Sequence, residues 1–115
     1  MDAAPGRVIQ FQAANRVLPR QRQLLSARAM LSDGFLYHLY VYPELHGQGA
    51  GGLLLERVKE LSPQGFRLWV FQRNTQARDF YEHRGMRVVE LTDGSRNEEH
   101  EPDALYEWLP SAEPV

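Results

Sequence analysis

The chain contains no cysteine. Disulfides, thiolate metal sites and cysteine nucleophiles are therefore excluded, and a reducing compartment, the cytoplasm, is the expected setting. No apolar run approaches the roughly 20 residues that a membrane-spanning helix needs, so no membrane partner is expected. The start, Met1 to Gly6, lacks the charged head and apolar centre of a secretory signal. The net charge is only −2, without the basic excess that marks a nucleic-acid-binding chain. Basic residues do gather at Arg16, Arg20 and Arg22, and they read as a solvated surface. The histidines at 38, 46, 83 and 100 have no H-x-H or H-x-x-x-H spacing, so no metal site is expected. There is no internal repeat and no linker, and 115 residues suit a single domain over 1–115 with one modest core.

Glycine, by contrast, is concentrated in one place. Gly47, Gly49, Gly51 and Gly52 separate a strand-like run, Phe35 to Tyr42, from a helical pattern over Gly49 to Leu61. Period 2 puts Phe35, Tyr37, Leu39 and Val41 on one face of that strand and Leu36, His38, Tyr40 and Tyr42 on the other. Leu54, Leu55, Val58 and Leu61 form the apolar stripe of the helix. Glycine lets backbone N–H groups approach a ligand, and the first helical turn adds free donors and a positive dipole end. A strand, a glycine loop and a helix start together suit an anion, most often phosphate.

The flanking chain supplies a mixed α/β pattern. Val8 to Gln12 reads as a strand, whereas Gln21 to Met30 fits a helix or an alternating strand. Ser32 to Gly34 is a turn. Phe66 to Phe71 is a second strong strand. Asn74 is a good N-cap for a helix over Thr75 to Arg84, with Gly85 suited to the position after it. Strands follow at Met86 to Leu91 and Ala104 to Leu109, joined by a polar, acidic loop. The strand–helix–strand unit around the glycines implies a parallel pair, and the last two strands an antiparallel one. The expected fold class is α/β: a mixed, partly parallel sheet with flanking helices.

Gly47 to Gly52 also satisfies G-x-G-x-x-G, but the following strand ends Trp69-Val-Phe-Gln72, without the acid that a dinucleotide ribose requires. Only one such unit is present, and G-x-x-x-x-G-K-[ST] is absent. A glycine-rich helix start with no ligand remains the competing reading of the loop alone. A second motif stands beyond it: Asn74-x-x-Ala77-x-x-Phe80-Tyr81-Glu82-x-x-Gly85-Met86. Together, the proline-terminated strand ending at Pro43, His46-Gly-Gln-Gly49-Ala-Gly51 and this second motif resemble the GNAT acetyltransferase superfamily. The resemblance covers residues 35–109, and residues 1–34 are a short, atypical N-terminal part.

The resemblance implies an acetyl-CoA-dependent N-acetyltransferase acting on an amine of a small molecule or protein. It implies cofactor contacts from Leu39, Val41, His46, Gly47, Gln48, Gly49, Ala50, Gly51, Asn74 and Phe80, and a proton donor at Tyr81. A phenol with an ordinary pKa near 10 is protonated at neutral pH and can donate to a leaving thiolate. His38 is the candidate base, against the simpler reading of a structural strand histidine. Glu98 and Glu99 are further base candidates, against a solvated loop. His46 stands where the family has Arg or Gln, which removes charge but not backbone donors. The 34 residues before Phe35 leave little room for the helices that wall a full acceptor site. Three alternatives follow: a homodimer whose second subunit completes the site, an acceptor bound in an open cleft, or a non-catalytic acyl-CoA-binding module.

Overall fold

The computed structural model describes residues 7–13, 24–41 and 49–110. His46, Gly47 and Gln48 of the expected anion loop lie outside the described residues, as do Arg16, Arg20 and Arg22 and the tail at 111–115. The chain divides into two compact units, 1–62 and 63–115.

The first unit holds β1 (Arg7–Ala13), β2 (Leu24–Ser32), β3 (Phe35–Val41) and α1 (Ala50–Leu61). The strands form an antiparallel meander, β2 pairing with both neighbours. That pairing settles residues 24–30 of the ambiguous segment as strand, with 21–23 outside the described residues: the backbone groups of 24–30 are satisfied across the sheet rather than along a helix. Asp33 and Gly34 both take positive φ, 51° and 79°, the backbone of a two-residue hairpin turn whose twist matches the strands. Helix α1 packs on all three strands. Its fully buried Leu54, Leu55 and Val58 share a core with Ile9, Ala29, Leu31 and Leu36. Arg57–Glu60 and Lys59–Glu56 pairs line its outer side.

The period-2 assignment of faces in β3 fails at one point. Arg28 pairs with Tyr40 and Met30 with Tyr37, so Ala29 alone faces the two residues His38 and Leu39. This is a β-bulge in β3. The extra residue brings Tyr37 and Tyr40, three apart, to the face of Arg28 and Met30, and both are exposed. Strict alternation put them on opposite faces.

The second unit holds β4 (Phe66–Phe71), α2 (Thr75–Glu82), β5 (Arg87–Leu91) and β6 (Asp103–Trp108). Strand β6 lies between β4 and β5, antiparallel to both. Phe66, Leu68 and Val70 are buried on one side of β4, with Ala104 and Tyr106 beside them. On the opposite side the Glu107 carboxylate takes Arg67 at 2.9 Å and Arg87 at 3.8 Å. Helix α2 ends before the expected Arg84, because the chain turns at Gly85 (φ 90°). The N–H groups of Gly85 and Met86 return to the carbonyls of Glu82 and Tyr81. Both bonds satisfy carbonyls that the helix end would leave open, and Met86 is buried beneath them.

The loop between β5 and β6 closes on itself. The Asn97 amide donates to the Glu101 carbonyl (2.8 Å) and Asp103 Oδ2 (3.2 Å), and its oxygen accepts from the Glu101 N–H (3.1 Å). Thr92 Oγ1 donates to Asp103 Oδ1 and accepts from the Gly94 N–H. Gly94 has φ 82°, and a Cβ there would lie 2.4–2.6 Å from the Glu101 backbone. Neither side can yield, since both are backbone. Gly94→Ala is expected to cost about 2–5 kcal/mol, from left-handed strain and overpacking together. A urea midpoint equal to the native one would show that the loop shifts freely.

Candidate active site

The expected site residues divide between the two units. Leu39 and Val41 lie in β3, and Gly49, Ala50 and Gly51 at the start of α1, all in the first unit. Asn74, Phe80 and Tyr81 lie in the second. His38 and Leu39 form the bulge of β3. A bulge leaves an extra residue outside the regular ladder, and its main-chain groups become available to something other than the neighbouring strand.

The α1 start suits an anion. Gly49 is the N-cap, with φ 82° and ψ 4°, and offers no side chain to the first-turn N–H groups. No acid occurs in that turn, so its donors and dipole are not offset by a carboxylate. A Cβ at Gly49 would meet nothing within 4 Å. The glycine thus serves backbone conformation and access, not close packing.

In the second unit, the Asn74 side-chain oxygen accepts from the Ala77 N–H at 3.1 Å, capping α2. Its amide N–H donors have no partner among the described residues. The Phe80 ring takes the Arg84 guanidinium over its face at 4.1 Å and meets Tyr81 edge-on, centroids 5.2 Å apart. Tyr81 is 7% exposed. Its ring also packs on Tyr106, centroids 6.1 Å apart. The Tyr81 hydroxyl has no hydrogen-bond partner among the described residues. Burial pushes this phenol up to about 12, so it holds its proton throughout the neutral range.

Glu98 and Glu99 are exposed on the closed β5–β6 loop, in keeping with the solvated reading. Asp103, the buried acid at the start of β6, spends both oxygens on Thr92 and Asn97. His83 Nδ1 sits 2.7 Å from the Asp79 carbonyl. Among the described residues, no group of three His, Asp or Glu side chains could hold a metal ion. No described helix is long and apolar enough to cross a membrane.

Sequence reasoning missed one cluster. The Tyr106 hydroxyl accepts from Arg78 Nε at 2.9 Å and donates to Glu82 Oε2 at 2.5 Å. Arg78 and Glu82 stand four apart on α2, a spacing visible in the sequence. That Tyr106 projects between them depends on the β4–β6 register and was not visible.

Comparison with known families matches residues 9–87 to a family described as "Acetyltransferase (GNAT) domain", more than half of the chain. The chain belongs to the GNAT family. A comparison with curated proteins finds no match. Among solved structures, this GNAT domain resembles the ribosomal-protein-S18-alanine N-acetyltransferase from Escherichia coli. The TM-score is 0.64 at 20% identity, over 78% of this chain and 64% of that one. NAA60 from Arabidopsis thaliana, in complex with a bisubstrate analogue, gives 0.68 at 18% identity, over 77% and 67%. A nourseothricin acetyltransferase gives 0.65 at 15% identity, over 90% and 85%. NAA60 is also known in complex with acetyl-CoA. The likeness establishes the fold as acyl-CoA N-acyltransferase-like, the mixed, partly parallel sheet with flanking helices expected from the sequence. This GNAT domain spans less than two thirds of the length of the bacterial relative.

Proposed function

We propose that the protein is an acetyl-CoA-dependent N-acetyltransferase of the cytoplasm, acting on an amine of a small molecule or of a protein. The observation that carries the reading is Tyr81: a buried phenol, held protonated, with no hydrogen-bond partner among the described residues. A polar group so placed costs stability unless something else uses it. In this reading, that use is proton donation to a thiolate.

Acetyl-CoA supplies the activated acyl group as a thioester, and the amine attacks its carbonyl carbon. The N–H groups of Gly47, Gly49, Ala50 and Gly51 hold the pyrophosphate, and main chain of Leu39 and Val41 pairs with the pantetheine arm. Gln48, His46, Asn74 and Phe80 complete the cofactor contacts. A main-chain N–H of the bulged strand stabilises the charge that develops on the carbonyl oxygen. Carbon–sulfur cleavage then leaves a thiolate, and the Tyr81 hydroxyl donates its proton to it. The attacking amine loses one proton to His38 or to solvent, and one proton returns from solvent to the Tyr81 phenolate, which restores the donor.

Relatives act on a ribosomal-protein alanine or on nourseothricin, as their names state. Peptides with a free alanine terminus and nourseothricin are therefore the first acceptors to try. The deciding experiment titrates acetyl-CoA and, separately, NAD by calorimetry, then follows thiol release with each amine. Saturable acetyl-CoA binding with amine-dependent thiol release is expected. Binding without turnover would support the second reading, a non-catalytic acyl-CoA-binding module. That reading is favoured by one feature: only residues 14–23 separate β1 from β2. No acetyl-CoA binding would defeat both. Completion of the acceptor side by a second copy belongs to the first reading, and a monomeric mass in light scattering at micromolar concentration would remove it.

A further inference from the structure

We infer that Tyr106 is a positioning residue for the proton donor: its hydroxyl ties one full turn of α2 to β6 and thereby sets where the Tyr81 phenol stands. This rests on the proposed role of Tyr81.

Tyr81 has no hydrogen bond of its own to aim it among the described residues, so packing and the position of its helix must do so. Helix α2 is only eight residues long. At its start the Asn74 N–H bonds the Phe71 carbonyl at the end of β4 (3.0 Å), and Arg78 Nη1 lies 3.4 Å from the Gln72 carbonyl. At its end the Met86 N–H holds the Tyr81 carbonyl. Between these points one side-chain atom of β6 bonds to the helix at two places, Arg78 and Glu82. Tyr81 falls within the turn they bracket. The Tyr106 hydroxyl joins a cation and an anion, and Tyr106 is fully buried. Hydrogen bonds to charged groups are stronger and more directional than neutral ones. The same Tyr106 ring packs against the Tyr81 ring, so clamp and support come from one side chain.

With a phenylalanine at 106 the ring packing would persist, Arg78 and Glu82 would be left to pair along the helix, and only the hydroxyl's tie to β6 would go. Helix α2 would then be free to rock, and misplacement of a reacting group by about 1 Å can cost up to roughly a hundredfold in rate.

The test is a double-mutant cycle on thiol release from acetyl-CoA, with hydroxylamine as the probe because it needs no acceptor pocket. Tyr106→Phe is expected to lower kcat about tenfold, with the KM for acetyl-CoA within about twofold of native. In a Tyr81→Phe background, Tyr106→Phe should have no further effect, because a residue acting through another shows no separate cost once that other is gone. Glu82→Gln, which keeps an acceptor for the hydroxyl, should stay near native, and Glu82→Ala, which leaves only the Arg78 bond, should lose part of what Tyr106→Phe loses, again only when Tyr81 is present. If Tyr106→Phe does not fold, the Glu82 pair in the same cycle answers the question, because Glu82 is exposed. Independent, additive losses would mean general stability and would overturn the inference. A slow Tyr81→Phe beside a native-like Tyr106→Phe would overturn it while leaving the donor role intact. A native-like Tyr81→Phe would remove the donor role first, and the inference with it.

Discussion

Gly49→Glu is expected to weaken acetyl-CoA binding at least about a hundredfold while leaving a folded domain. Gly49 is the N-cap of α1, and nothing lies within 4 Å of the Cβ position, so a side chain meets no steric obstacle. The left-handed φ costs about 1–2 kcal/mol for any L residue other than glycine. The charge matters more. A carboxylate at the N-cap can take the first-turn N–H groups for itself, and it faces a pyrophosphate of like sign. Two unit charges about 4 Å apart repel by ~4 kcal/mol at an effective dielectric of 20. Water around the exposed Gly49 lowers this, and about 2.7 kcal/mol already amounts to a hundredfold. Gly49→Ala carries the backbone strain without the charge and should bind within about tenfold of native. Calorimetric titration of both variants separates the two effects. A glutamate variant that binds as the native protein does would mean that this helix start holds no phosphate.

Tyr81→Phe is expected to lower turnover by ~100-fold, at the lower end of what positioned acid catalysis contributes. Acetyl-CoA affinity should hardly change, because the hydroxyl is used when the thiolate leaves and not when the cofactor docks. The fold should be at least as stable, since the variant removes a buried hydroxyl with no partner among the described residues. Steady-state kinetics with calorimetry would settle it, and a kcat within about twofold of native would end the donor role. The pH behaviour follows the same group. The unfolded phenol titrates at its ordinary value near 10, the folded one at about 12. Across that window the unfolded chain sheds the proton first, so stability present below pH 10 is lost as pH rises toward 12. Urea midpoints of Tyr81→Phe should decline less steeply over that range than those of the native protein.

Several elements were legible because their causes are local. Asn74 caps α2 as its side-chain chemistry predicts, and Gly85 takes the left-handed turn after it. Asp33-Gly34 makes the hairpin turn, and the stripe of Leu54, Leu55 and Val58 is the buried face of α1. Each depends on neighbours within about four residues, where propensity and periodicity operate. The segment over Gln21 to Met30 was ambiguous because alternation and helical spacing overlap there. Only pairing with β1 and β3 decided it.

The sequence by itself determined the family pattern: a strand, a glycine-rich helix start, and the Asn74 to Gly85 motif, because these are short-range arrangements of backbone and caps. Tertiary structure alone decided the bulge at His38–Leu39, which reassigned the faces of Tyr37 and Tyr40. It also decided the burial of Tyr81, which pushes its phenol up, and the meeting of Tyr106 with Arg78 and Glu82. The physical reason is the same in each case. Register between strands and the removal of water from a side chain are set by segments distant along the chain, and no local pattern encodes either.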